Sequence, residues 1–270
     1  MREREVTQRQ KKERDHTEKT KPSSLDLTTD PSYAPFTSQF LSHPDLGTTE
    51  FVCVAFSPDS KYLVTLGGAP SWQMLYWAWE KSQGPLASAR CSSEADVPVY
   101  RVTFNPQDNT NVCVTGQGIL KMFRYTEGNI KQLAFQKVEE NFLAQTWLPD
   151  DGIVCGTESG KVLLFHGNEL KTEIPLHERV TCLAPLAIGF LCGTASGNVL
   201  LYARGDGRDY SLMREASVPV EPGRMQPIHH IAVTPSEENM MCSTGLRQLY
   251  TMPLTEADAD VLQVRAALWM

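Results

Sequence analysis

The sequence predicts an all-β fold, a β-propeller of about five blades that reads as an incomplete ring. Two observations carry this. The phrase Cys155-Gly-Thr-Glu-Ser-Gly-Lys-Val-Leu-Leu-Phe165 returns thirty-seven residues later as Cys192-Gly-Thr-Ala-Ser-Gly-Asn-Val-Leu-Leu-Tyr202. Alternating apolar runs that end in a proline turn precede such phrases along the chain, beginning at residues 51, 99, 142, 180 and 228, so the spacings are 48, 43, 38 and 48. A period near forty to forty-five, with short strands and glycine turns, is that of a propeller blade.

Each unit resolves into strands in the same order. Phe51-Val-Cys-Val-Ala-Phe-Ser-Pro-Asp59 alternates with period two, so Val52, Val54 and Phe56 share a face. The Pro-Asp step then turns the chain, because proline presets φ and Asp bonds the backbone ahead of it. Val99-Tyr-Arg-Val-Thr-Phe-Asn-Pro-Gln107, Phe142-Leu-Ala-Gln-Thr-Trp-Leu-Pro-Asp150, Val180-Thr-Cys-Leu-Ala-Pro185 and Ile228-His-His-Ile-Ala-Val-Thr-Pro-Ser236 repeat the pattern. Second strands follow at Tyr62–Leu66, Val112–Thr115, Ile153–Cys155, Phe190–Cys192 and Met240–Cys242. A glycine hairpin leads to a third strand in each unit, and Ile130–Phe135 and Leu170–Ile174 supply a fourth in two of them. The blades fall near residues 51–96, 97–139, 140–176, 177–222 and 223–256, within a propeller of 47–256.

The flanks read differently. Residues 1–46 form a disordered, charged tail and linker: eight Lys/Arg and five acidic residues precede Pro22, and Pro, Ser, Thr and Asp dominate to Pro44. Tyr33, Phe36, Phe40 and Leu41 break that composition, and we read them as a segment laid along the propeller edge, with a partner-docking motif as the alternative. Residues 257–270 read as a tail or a short helix, which Thr255 or Asp258 could cap.

Composition narrows the function. No run reaches the eighteen apolar residues a membrane span needs, and the N-terminus lacks a signal-peptide pattern. Seven cysteines, an odd number and mostly mid-strand, read as small buried hydrophobes of a reducing, intracellular compartment. A net charge of −7 argues against general nucleic-acid binding, which needs clustered positive charge.

Candidate chemistry fails at each place it could start. Gly156-Thr-Glu-Ser-Gly-Lys161 resembles a phosphate loop, but the spacing needs glycine where Cys155 stands and Ser or Thr where Val162 stands. The repeat copy replaces the lysine with Asn198, which makes the segment a hairpin. His229 and His230 are adjacent on a strand, so one is expected buried and one exposed, without a shared metal. Arg204-Gly205-Asp206 reads as a chance tripeptide in a loop. We identify no catalytic, cofactor-binding or metal-binding residue. The candidate interaction residues are the aromatics of the first blade's third strand, Tyr76, Trp77 and Trp79. One reading packs them in the core between blades; the sharper one exposes them as an interface hot spot.

The repeats resemble degenerate WD repeats. Phe56-Ser-Pro-Asp-Ser60 matches the usual first turn, and Tyr76-Trp77 and Phe123-Arg124 stand where the Trp-Asp pair falls. The Asp and a clean Gly-His are missing from every blade, so the side-chain network that braces such blades has no source in those residues. More narrowly, the chain resembles the ciliary and flagellar WD-repeat family of the cilia- and flagella-associated protein 57 type. The matching words are Ala55-Phe-Ser-Pro-Asp-Ser-Lys-Tyr-Leu63, Tyr76-Trp77 with Trp79-Glu-Lys81, Pro98-Val-Tyr100, Pro106-Gln-Asp-Asn-Thr110, Val112-Cys-Val-Thr-Gly116 and Ala144-Gln-Thr-Trp147. The resemblance implies a non-catalytic scaffold of the ciliary or flagellar axoneme, with protein partners such as inner dynein arm or doublet-associated components and a role in cilium motility. It implies location in the cytoplasm and the cilium, and no nucleic acid, membrane or cofactor. Members of that family are longer, with further blades and a coiled coil, so we read this chain as a truncated form. The competing reading is a generic intracellular WD-type adaptor in ubiquitin ligation, trafficking or intraflagellar transport, with no axonemal role. Five blades of a larger circle would leave two open edges, and self-association through them is expected unless a smaller ring closes.

Overall fold

The computed structural model describes residues 41, 50–81, 84–205, 209–218, 226–254 and 263–267. The tail, with Tyr33, Phe36 and Phe40, lies outside the described residues, as do Thr255 and Asp258. The described chain is built from five four-stranded antiparallel meanders. Blade 1 holds β1 (Phe51–Phe56), β2 (Leu63–Gly67), β3 (Gln73–Trp77) and β4 (Ala87–Arg90). Blade 2 holds β5 (Val99–Asn105), β6 (Asp108–Gly116), β7 (Ile119–Thr126) and β8 (Asn129–Gln132). Blade 3 holds β9 (Phe142–Trp147), β10 (Ile153–Thr157), β11 (Lys161–His166) and β12 (Glu169–Pro175). Blade 4 holds β13 (Val180–Leu186), β14 (Gly189–Thr194), β15 (Asn198–Arg204) and β16 (Tyr210–Ser217). Blade 5 holds β17 (Ile228–Val233), β18 (Asn239–Thr244), β19 (Gln248–Pro253) and β20 (Gln263–Ala267).

The first strands of successive blades run side by side: β1 meets β5, β5 meets β9, β9 meets β13 and β13 meets β17. Each carries a bulge near its start, so that Val52, Tyr100, Leu143, Thr181 and His229 have no partner across the ladder. A bulge adds local twist and re-aims the residues beside it. The same extra ladder bond closes every blade just before its first strand. The carbonyls of Glu50, Pro98, Asn141, Arg179 and Pro227 accept from the amides of Gly68, Gln117, Glu158, Ala195 and Gly245 at 2.9–3.0 Å.

Four apolar layers fill the spaces between blades. Val64, Met74 and Tyr76 of blade 1 meet Val102, Phe104 and Phe123 of blade 2. Cys113 and Met122 meet Phe142, Trp147 and Cys155. Ala144, Val154 and Leu164 meet Leu183, Phe190 and Cys192. Ala184, Leu191 and Leu201 meet Ile231, Met240 and Cys242. The glycine inside each repeated phrase makes room for the next blade. A Cβ on Gly156 would stand 2.2 Å from Cγ1 of Val180, and one on Gly193 would stand 2.8 Å from Cγ2 of Ile228.

Two expectations are corrected. The C-terminal segment, read as a tail or short helix, contains β20, which pairs antiparallel with β19 in register Gln248↔Ala267 to Thr251↔Gln263. Unpaired, β19 would leave its ladder groups bare, and this segment satisfies them. His229 and His230 are both exposed instead of one buried and one out. The bulge at His229 breaks the alternation, and the face that His230 takes is not covered by a further blade.

Candidate interaction surface

Within β3 the alternation sends neighbouring aromatics to opposite faces. Tyr76 points at blade 2, buried to 1% exposure. Its ring stacks on Tyr125 at 4.3 Å and meets Phe104 edge-on at 5.7 Å, and its hydroxyl donates to the Asn109 carbonyl at 2.8 Å. Burial pushes its hydroxyl well above the usual tyrosine pKa, so it stays a neutral donor. Trp77 points the other way and is also 1% exposed, donating from Nε1 to Oγ1 of Thr65 at 3.0 Å. This corrects the exposed reading for both residues: their rings serve the core. Trp79 is only half-buried, set edge-on to Phe56 at 5.7 Å, with Nε1 donating to the Ser60 carbonyl at 2.8 Å.

Trp77 and Trp79 belong to the face of blade 1 that points away from blade 2. On it Leu63, Leu75 and Trp77 form a small core, against which Leu41 packs. Leu41 is the part of the edge segment that falls among the described residues. The inner strand of the same face is bare: Val54 and Phe56 are 59% and 56% exposed, and the bulge takes Val52, at 40%, out of the alternation expected to set it beside them. An apolar strip of this kind marks an interaction site more often than an inert surface.

The turns at one end of the blades carry side-chain bracing that sequence reasoning missed. Two residues before the first strand of blades 3, 4 and 5 stand Glu140, Glu178 and Gln226. Glu140 accepts from the Ser159 hydroxyl at 2.7 Å and pairs with Lys161 at 3.1 Å. Glu178 accepts from the Ser196 hydroxyl and from Nδ2 of Asn198 at 3.2 Å. Gln226 donates to Gln248 at 2.8 Å. These residues supply bracing that the missing Gly-His and Asp cannot. The available signal was their constant offset from the strand start.

This also settles the phosphate-loop likeness. Lys161 is held between Glu173 and Glu140, at 3.0 and 3.1 Å, and these carboxylates raise its pKa. A Cβ on Gly160 would meet the Glu178 backbone at 2.7 Å, so the turn is filled by the next blade's approach and not open to a phosphate. The thiols are equally occupied by packing. All seven cysteines are free and six are buried; burial pushes Cys91, Cys113 and Cys182 up to about 12 and Cys242 up to about 11. At neutral pH the six buried thiols are un-ionised, without the thiolate that nucleophilic or metal chemistry needs. Among the described residues no three His, Cys, Asp or Glu side chains converge to hold a metal ion.

At the opposite end of blades 2 and 3 an open cleft of about 790 Å³ is lined by Asn105, Asp108, Arg124, Asp151 and His166. Its charges answer one another. Burial disfavours the Asp108 carboxylate, but Thr110 and Arg124 outweigh it and hold the pKa below the usual range. Asn105 donates to Asp151 at 3.0 Å, and Arg204 from blade 4 pairs with Asp150 at 2.7 Å. Asp108, Asp150 and Asp151 are each held by a neighbouring side chain, and the Arg204–Asp150 pair ties blade 4 to blade 3.

Residues 39–221, more than half of the chain, match the family model described as the CFAP43 N-terminal domain. The chain belongs to that family. Among curated relatives it is 31% identical to cilia- and flagella-associated protein 57 of Mus musculus, a match covering 80% of this chain and 22% of that protein. It is 26% identical to cilia- and flagella-associated protein 57 A of Tetrahymena thermophila, covering 78% and 18%. A match to cilia- and flagella-associated protein 44 of Mus musculus is 26% identical and covers 46% and 7%. The chain thus spans about a fifth of the length of the protein 57 relatives. Among solved structures it is similar to the β-propeller domain of Cps50 (Swd1) from Myceliophteria thermophila, with a TM-score of 0.66 and 13% identity over 81% of this chain and 74% of that one. That likeness bears on the fold alone, and it agrees with an incomplete propeller.

Proposed function

We propose that this chain is a non-catalytic docking scaffold of the ciliary or flagellar axoneme, acting in the assembly or anchoring of inner dynein arms and so in cilium motility. The observation that carries the reading is the match to cilia- and flagella-associated protein 57 across four fifths of the chain. The geometry supports it: a bare apolar strip on the inner strand of blade 1 offers surface to another protein. Its place of action on this reading is the cilium, with the cytoplasm as the site of synthesis and assembly.

The test is the position of a tagged copy in ciliated cells before and after detergent and salt extraction. Retention on the demembranated axoneme, with co-precipitation of an inner-arm dynein heavy chain, is the expected result. Complete release by detergent would overturn the axonemal role and favour a generic adaptor. Retention without the dynein would overturn the inner-arm assignment only.

A further inference from the structure

The four internal interfaces show which blade faces mate, and the same two faces recur bare at the ends. On the face turned toward the preceding blade, the fourth residue of the first strand is Val102, Gln145, Leu183 and Ile231 in blades 2 to 5, at 1%, 2%, 6% and 3% exposure. The equivalent in blade 1 is Val54, at 59%. On the opposite face, the second strand places Val64, Cys113, Val154 and Leu191 at 0% in blades 1 to 4. The equivalent in blade 5 is Met241, at 45%, beside the exposed Ala232 with which it is paired. Neither end therefore covers the other, and the ring is open between them among the described residues.

We propose that the occupant of the bare blade 1 face is blade 5 of a second copy, so that copies join head to tail. The chemistry is the one used at three of the four internal interfaces; between blades 2 and 3 Gln145 donates to the Thr103 hydroxyl instead. A bulky apolar side chain at the Val54 position packs on a small first-strand residue and an apolar second-strand residue of the partner face. Ala55 with Val64 and Ala184 with Leu191 are internal examples, and Ala232 with Met241 reproduces them. A contact between two different faces is heterologous, so it leaves one free face of each kind at the ends of every assembly that does not close into a ring. Leu41 packs on the cluster that β2 and β3 form and leaves β1 accessible. This inference stands independently of where in the cell the protein works.

Sedimentation velocity of the full chain over a wide concentration range tests it. The unchanged protein is expected to form dimers and larger species as concentration rises. Val54→Asp and Met241→Asp each spoil one face at an exposed position, and each alone is expected to weaken association at least tenfold. Mixed at equal amounts they retain one good face of each kind, and should form a one-to-one pair that grows no further. Phe56→Ser with Ala232→Asp is a second such pair should either first variant lose its β-sheet circular dichroism. A monomer at all concentrations, a mixture that stays monomeric, or Met241→Asp protein that associates like the unchanged chain would each overturn the proposal.

Discussion

Replacing Gly156 by alanine tests whether the repeated phrase is a packing device. The glycine sits on β10, and the new Cβ would stand 2.2 Å from Cγ1 and 2.7 Å from Cβ of Val180 on the first strand of blade 4. Both distances are far inside van der Waals contact, and Val180 is fully buried, so it has nowhere to swing. Relief requires blades 3 and 4 to part by most of an ångström or Val180 to leave its rotamer. Overpacking of one methyl in a dense core costs about 1–3 kcal/mol. For a domain of this size each kcal/mol lowers Tm by about 2–4 °C, so the expected loss is about 2–12 °C. Thermal melts followed by circular dichroism, with Gly84→Ala as control, make the measurement. Nothing lies within 4 Å of a Cβ at Gly84, so the control should melt with the unchanged protein. The Val180→Ala change should also cost less in the Gly156→Ala background than alone, since the two sites share one clash. Equal melting of Gly156→Ala and the control, with strictly additive double variants, would refute the packing argument.

Tyr76→Phe removes the donor to the Asn109 carbonyl and should cost about 0.5–1.5 kcal/mol, whereas Tyr76→Ala also removes the stacked ring and should cost about 3–5 kcal/mol; urea midpoints separate them. Glu178→Ala leaves Ser196 and Asn198 without their acceptor and should lower stability by about 1–2 kcal/mol, read in the same way. The cysteines set an alkaline limit. Their folded pKa values, about 11 to 12 for Cys113 and Cys242, lie above the ordinary 9.0, so the folded state keeps protons that the unfolded chain releases. Stability from these thiols is full below pH 9 and falls as pH climbs toward 11 and 12. Melts at pH 8, 9 and 10 should show Tm dropping only above about 9, and thiol labelling of the native protein at pH 8 should leave the six buried cysteines unmodified.

The blades were legible because three signals coincide in each: alternation on the first strand, a proline turn, and a glycine hairpin. Fourth strands were legible only where an alternating run stood clear of loops, as at Glu169–Pro175. Ala87–Arg90 carries small and polar residues at a sheet edge, where packing does not select large apolar side chains, and so left no pattern. Gln263–Ala267 reads as helix because Gln, Arg and its two Ala favour helices locally, and the ladder offered by β19 overrides that preference. For the aromatic strand, alternation alone puts Tyr76 on one face and Trp77 with Trp79 on the other, whereas which face is covered depends on the neighbouring blade on either side. The Glu140 and Glu178 braces were hidden because they replace a known motif with different residues at a different offset.

Each blade is held by an almost self-contained ladder and leans on its neighbours through one apolar layer apiece. Such a stack behaves as a one-dimensional array, whose total stability is a sum of blade terms and nearest-neighbour terms. Blade 3 has two layers and blades 1 and 5 have one full layer each. Unravelling therefore starts at the ends and moves inward, and whatever caps an end protects all the blades behind it. A docking partner on this molecule would act as a clamp on its weakest joint, so that occupancy of the surface and survival of the fold become one equilibrium.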